Sequence, residues 1–153
     1  MSHCVDNVEA KQLLSLGYIF LDVRSEVEFD TGHPPGALNI PLALVRGDQL
    51  EENPDFLPVV QALFPTDTRL LLTCHSGARS HRAARILQSH GYASLAELRH
   101  GFAGSRDAFG RRLPGWVAEG EVERVVSEPQ TYLWLRGEAL RRGAALTACD
   151  VAE

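Results

Sequence analysis

The sequence predicts an α/β layer fold built on a mainly parallel sheet, and three observations carry that expectation. Two continuous apolar runs, Tyr18 to Val23 and Arg69 to Thr73, read as strands buried on both faces. Helical patterns alternate with them, as parallel pairing requires. Asp22 and Cys74 stand at the carboxyl ends of the two runs, the rim where such sheets bind ligands.

The elements follow in chain order. Asp6 or Asn7 can cap a helix over about Val8 to Leu16, and Gly17 suits the position just past its end. The first apolar run comes next. Ser25 with Glu28 three residues on is a capping-box signature for a short helix. Gly32 to Gly36, with two prolines, must be loop, and Ala37 to Ile40 is a brief strand stopped by Pro41. A helix from Asp55 to Phe64 has Pro54 near its first turn. The second apolar run precedes a helix from Ala78 to His90, ended by Gly91. Ala83, Ala84 and Leu87 share one face of it, with Arg79, Arg82 and Arg85 off that face. Leu95 to Leu98 is expected as the last strand of the sheet. Val122 to Val126 has strand character, and Pro129 to Arg142 is a closing helix whose Tyr132, Leu133, Trp134, Leu135 and Leu140 are available for packing.

Composition narrows the function. At 153 residues the chain is expected to form one domain over residues 1–153, with its core at about 3–110 and a helical extension over about 111–153. A hydrophobic fraction of 44% and a charged fraction of 23% are ordinary for a globular chain. The net charge of −5 argues against a dedicated nucleic-acid binder. No apolar stretch approaches a membrane span, and Met1 to Asp6 shows no basic region leading into an apolar core. A cytoplasmic protein is expected. Cys4, Cys74 and Cys149 are too scattered for a disulfide framework or zinc site.

The chemistry gathers at Leu70-Leu71-Leu72-Thr73-Cys74-His75-Ser76-Gly77-Ala78-Arg79-Ser80, where a cysteine stands between a buried strand and a helix start. A helix start presents unpaired N–H groups and partial positive charge. A loop wrapped around the sulfur can aim further N–H groups inward. Arg79 adds a full charge nearby. Together these favour thiolate over thiol and so raise nucleophilicity at Cys74. A free cysteine is usually an inert core residue, but the His-Ser-Gly-Ala-Arg-Ser run after Cys74 is too polar for a strand interior.

These residues also resemble a family. Leu21-Asp22-Val23-Arg24-Ser25, Glu28-Phe29 and Gly32-His33-Pro34-Pro35-Gly36-Ala37-Leu38-Asn39-Ile40-Pro41 look like the N-terminal half of a rhodanese domain. Cys74 to Ser80, followed by Arg82-Ala83-Ala84, resembles the rhodanese active-site loop and its helix. The resemblance covers about residues 3 to 110. It implies a small parallel sheet of about five strands with helices on both faces. It implies that Cys74 takes sulfane sulfur from a small donor such as thiosulfate and passes it, as a persulfide, to cyanide or a thiol, a thiol protein included. It implies that backbone N–H groups of His75, Ser76, Gly77, Ala78 and Arg79 hold the sulfur, while Asp22 and Arg24 brace the sheet rim. No cofactor is implied. The sequence departs from the family after Leu98, where Gly101-Phe102 stands in place of a Gly-Gly pair and Gly104 and Phe109 only approximate the rest.

Two other functions share these features. A cysteine phosphatase uses a similar thiolate cradle but needs an arginine six positions after the cysteine; here Arg79 comes one position sooner and Ser80 occupies that place. A non-catalytic regulatory module would keep the fold and lose the site, whereas Cys74 and Gly77 are intact. His33 reads as a loop-bracing hydrogen-bonder, and His81 and His90 as exposed helix residues. His75 and His81 match no metal spacing with Cys74, so no metal is expected. Arg79, Arg82 and Arg85, extended by Arg111 and Arg112, are expected to form a positive field for anionic donors.

Overall fold

The computed structural model describes residues 2–147. Five strands form the central sheet: β1 (His3–Val5), β2 (Ile19–Asp22), β3 (Leu38–Asn39), β6 (Leu70–Thr73) and β7 (Leu95–Leu98), in the order β1-β7-β6-β2-β3. Every pairing is parallel. Side chains on a strand alternate between faces, and both faces here are apolar. Leu21, Leu70, Leu72 and Leu95 point to one side, where α3 (Phe56–Leu63), α4 (Ala78–Ser89) and α6 (Tyr132–Arg141) supply Val59, Val60, Ala83, Leu87 and Leu135. Phe20, Leu71, Ala96 and Leu98 point to the other. There they meet Ala10 of α1 (Asn7–Ser15), Phe29 of α2 (Glu26–Thr31) and Trp116 of α5 (Trp116–Glu119).

Local chemistry fixes the ends of these helices. Asp6 accepts from the Glu9 amide while Glu9 reaches back to the Asp6 amide, so α1 starts with a complete capping box. Ser25 and Glu28 do the same for α2. Gly77, at φ +117°, lets the chain leave β6 and turn into α4.

The structure departs from the sequence expectation in several places. Residues 122–126 form no strand; Glu123 makes one antiparallel bridge to His33. Leu95–Leu98 is the last strand of the main sheet, but β8 (Ser105–Arg106) and β9 (Arg112–Leu113) follow it as a hairpin. A second hairpin, β4 (Ala43–Arg46) with β5 (Gln49–Glu52), carries no hydrophobic alternation to announce it, since every residue of β5 is exposed. The short edge strand β1 is also unforeseen. The closing helix is interrupted: a 3-10 turn at Glu128–Gln130 precedes α6.

Residues past 110 pack against the sheet. Tyr132, Leu135 and Ala139 are buried in the cluster that holds Leu21 and Leu72. Asp55 fastens this segment by accepting from the Thr147 amide and hydroxyl and from Arg136. No described helix is long and apolar enough to cross a membrane.

Candidate active site

Asp22 and Thr73 are register partners in adjacent parallel strands. Arg24 and Cys74 therefore emerge just beyond the same rim, as the strand-end argument requires. Asp22 is fully buried and accepts from the Arg24 amide, Nε and Nη2, the last at 2.7 Å. Arg24 Nη2 also donates to the Gly32 carbonyl, and its guanidinium lies 4.2 Å from the centre of the Phe102 ring. Burial pushes the Asp22 carboxyl upward, and the hydrogen bonds and charge of Arg24 pull against that shift. Asn39 donates to the carbonyls of Asp22 and Arg24. His33, fully buried, stacks on Phe29 and hydrogen-bonds to the Phe29 carbonyl and Glu123.

Cys74 is 1% exposed, deeper than a surface nucleophile. Its Sγ faces the loop: the Gly77 amide donates to it at 3.1 Å, and the Ser80 hydroxyl lies 3.5 Å away. The amide of Gly77 is thus the member of the predicted His75 to Arg79 set with a hydrogen bond to the sulfur. His75, Ser76 and Ala78 are exposed around it. Ser80 is not among the residues that the sequence motif points to, yet its hydroxyl faces the sulfur. The signal was available, because a residue in the first turn of α4 lies over the helix start where the sulfur sits.

Arg79 is not a free charge beside the thiol. Its Nη1 and Nη2 donate to Glu28 at 2.8 and 3.0 Å, and His75 Nδ1 stands 3.9 Å from the same carboxylate. Burial works against the charged form of Glu28, yet the bonds from Arg79 and Ser25 outweigh it and bring the carboxyl down to about 2. The expected positive field is corrected likewise. Arg82 pairs with Glu52 and Arg111 with Asp107, because acidic partners distant in sequence or across a turn fold onto these side chains. The capping box accounts for one role of Glu28; the second depends on a helix that arrives much later in the chain.

The Glu28–Arg79 pair gives a pH prediction. A carboxyl depressed in the folded state contributes stability that is whole above its ordinary value of 4.5 and is lost as pH falls toward about 2. The pair is partly exposed, at 17% for Arg79 and 30% for Glu28, so screening leaves on the order of 1 kcal/mol. The melting-temperature gap between wild type and Glu28→Gln should therefore be constant above pH 5 and close between pH 4.5 and 2.

The loop is clamped from behind. Phe102 N donates to the Cys74 carbonyl at 2.7 Å and Ala103 N to the His75 carbonyl at 2.9 Å. Trp116 and Val117 amides in turn hold Gly101 and Phe102. A Cβ on Gly101 would sit 2.6 Å from the Cys74 carbonyl oxygen and 2.7 Å from His75 backbone atoms, at φ +67°. Gly101→Ala should cost about 2–4 kcal/mol, from a left-handed backbone plus a contact that cannot relax, read by chemical denaturation.

Two clefts flank this region. The larger, about 590 Å³, runs between the start of α2, the β4–β5 hairpin and α6; the other, about 490 Å³, lies against His75 and the β8–β9 hairpin. Cys74 lines neither. The smaller is nearer the chemistry, because His75 follows the nucleophile. Among the described residues no group of three or more metal-ligating side chains converges. Cys4 is exposed on β1, and Cys149 lies outside the described residues.

Comparison with known proteins fits this geometry. The sequence model for the rhodanese-like domain matches residues 6–108. The Arabidopsis thaliana protein HIGH ARSENIC CONTENT 1, mitochondrial, is 38% identical over 104 residues, 68% of this chain and 62% of that one. Thiosulfate sulfurtransferase 16, chloroplastic, from the same plant is 34% identical over 94 residues, 61% of this chain and 78% of that one. Across several of these relatives the chain spans about half to two thirds of their length. The crystal structure of Rv0390 from M. tuberculosis superposes with a TM-score of 0.65 at 26% identity, covering 81% of this chain and all of that one.

Proposed function

The chain belongs to the rhodanese-like domain family, and on that premise we propose that it is a sulfurtransferase carrying sulfane sulfur on Cys74. One observation supports this above the rest: the Cys74 sulfur accepts the Gly77 amide hydrogen bond at the mouth of α4. That amide and the helix start favour a negatively charged sulfur, whether thiolate or the outer atom of a persulfide. Cys74 thiolate attacks the outer sulfur of thiosulfate. A bond forms between the two sulfurs as the bond inside the donor breaks, and sulfite leaves with the electron pair. The persulfide then yields its outer sulfur to cyanide or a thiol, and Cys74 departs as thiolate. No cofactor enters either step.

Asp22 and Arg24 act as supports of the rim, and the exposed faces of His75, Ser76 and Ala78 meet substrate. Arg79 holds Glu28 with both terminal nitrogens, which counts against a phosphatase, where the loop arginine must grip the phosphate. Residues 2–147 are read as one domain, because the segment past 110 shares its core. A cytoplasmic site of action fits the absence of spaced cysteine pairs, although relatives carry organellar names.

Thiosulfate treatment tests the reading. The intact mass should rise by one sulfur atom, and cyanide should remove it as thiocyanate. A protein that gains no sulfur, or hydrolyses a phosphate ester instead, is not this enzyme.

A further inference from the structure

Ser80, in the first turn of α4, is fully buried beside the nucleophile. Three contacts close a small ring there. The Gly77 amide donates to Cys74 Sγ at 3.1 Å, the Ser80 hydroxyl lies 3.5 Å from the same sulfur, and that hydroxyl lies 3.1 Å from the Gly77 carbonyl. A hydroxyl has one hydrogen to give. While the sulfur keeps its proton, the S–H points to Ser80 Oγ and the hydroxyl hydrogen goes to the Gly77 carbonyl. That carbonyl does not depend on Ser80, because the His81 amide donates to the same oxygen at 3.1 Å.

Loss of the thiol proton reverses the requirement, since a thiolate accepts and has nothing to donate. Rotation about the Ser80 Cβ–Oγ bond turns the hydroxyl hydrogen from the Gly77 carbonyl to the sulfur. No heavy atom moves, and no buried group is left without a partner. We propose that Ser80 is a catalytic hydrogen-bond donor whose hydroxyl turns onto Cys74 Sγ whenever that atom carries negative charge. Two donors, Gly77 N and Ser80 Oγ, then hold the ion at a position 1% exposed to water, where an unmet charge is costly.

The catalytic meaning of this contact rests on the sulfur-transfer reading. In the second step cyanide bonds to the outer sulfur of the persulfide and the sulfur–sulfur bond breaks. The electron pair passes to Cys74 Sγ, and Ser80 turns to meet it. No proton leaves the hydroxyl, so Ser80 needs no base of its own. The charged groups around the site are already committed to one another. Arg79 pairs with Glu28, beside which His75 also stands, and Arg24 pairs with Asp22. His81 meets Glu97, and Arg136 meets Asp55. Behind the loop, Arg99 donates to the Cys4 carbonyl and His100 bonds to Ser105. Ser80→Ala keeps every one of these groups, so their influence on the sulfur cancels between variant and wild type.

Alkylation by iodoacetamide across a range of pH tests the proposal, with modification of Cys74 followed by peptide mass. Ser80→Ala should move the midpoint of the Cys74 profile up by about one pH unit, the tenfold expected of one hydrogen bond to a charged group. The plateau rate at high pH should stay within about twofold of wild type. A role in packing alone changes the plateau, through access to the buried sulfur, and leaves the midpoint in place; that result overturns the inference. Ser80→Thr, which keeps the hydroxyl, should hold the wild-type midpoint, and a threonine variant shifted as far as the alanine one also overturns it. Alkylation needs no sulfur transfer. A raised midpoint in a protein that takes no sulfur from thiosulfate refutes the sulfurtransferase reading and leaves the Ser80 contact standing. Sulfur loading with an unmoved midpoint refutes the role of Ser80 alone.

Discussion

Cys74→Ser should reduce thiocyanate formation from thiosulfate and cyanide at least about 10³-fold, to the uncatalysed background. The substitution changes one atom. The serine hydroxyl can keep the Gly77 hydrogen bond, made at 3.1 Å to sulfur in wild type, so the fold and melting temperature should barely move. What disappears is the polarisable nucleophile, since a hydroxyl does not ionise at neutral pH and forms no persulfide. Intact mass after thiosulfate treatment separates the possibilities. A one-sulfur gain that survives in the serine variant would falsify the assignment of Cys74 as carrier. Burial sharpens this prediction, because a thiol 1% exposed reacts only when the loop admits the donor.

Arg24→Met should destabilise the protein by about 3–5 kcal/mol, the loss expected when one partner of a buried ion pair is removed. Asp22 would keep its carboxylate with no access to water and only the residue-24 amide as a donor, the guanidinium donors being gone. The Gly32 carbonyl would also lose its Arg24 hydrogen bond. Methionine preserves the aliphatic stem beside Phe102, so the loss reports charge and hydrogen bonding rather than volume. Adding Asp22→Asn should recover much of the stability, because a neutral amide costs less to bury. The deficit of the single variant should also shrink in acid, where burial alone favours protonated Asp22. Urea denaturation of both variants and wild type checks this. An Arg24→Met protein within 1 kcal/mol of wild type would mean that the rim does not depend on the pair.

Sequence alone reached far into this fold because its decisive signals are local. Tyr18 to Val23 and Arg69 to Thr73 announced the central strands as uninterrupted apolar runs, since a strand covered on both faces has no polar side to show. Ser25 and Glu28 announced α2 because a capping box closes within one turn. Cys74 followed by His-Ser-Gly-Ala-Arg-Ser announced a strand-to-helix loop with a thiol at its root. In each case the interacting groups lie a few residues apart, and residue type sets the geometry.

The tertiary structure decided everything that depends on chain segments meeting at a distance. It gave Arg79 to Glu28 rather than to the thiol, and Arg82 to Glu52. It sank Cys74 beneath the loop, brought Gly101 against the Cys74 carbonyl, and set Arg106 opposite Arg112 beside His75. Side-chain charge and size are written in the sequence, but a charge has no partner until loop closure brings one within reach. That is why residue chemistry was legible from the start, while the electrostatics around the sulfur emerged only with the fold.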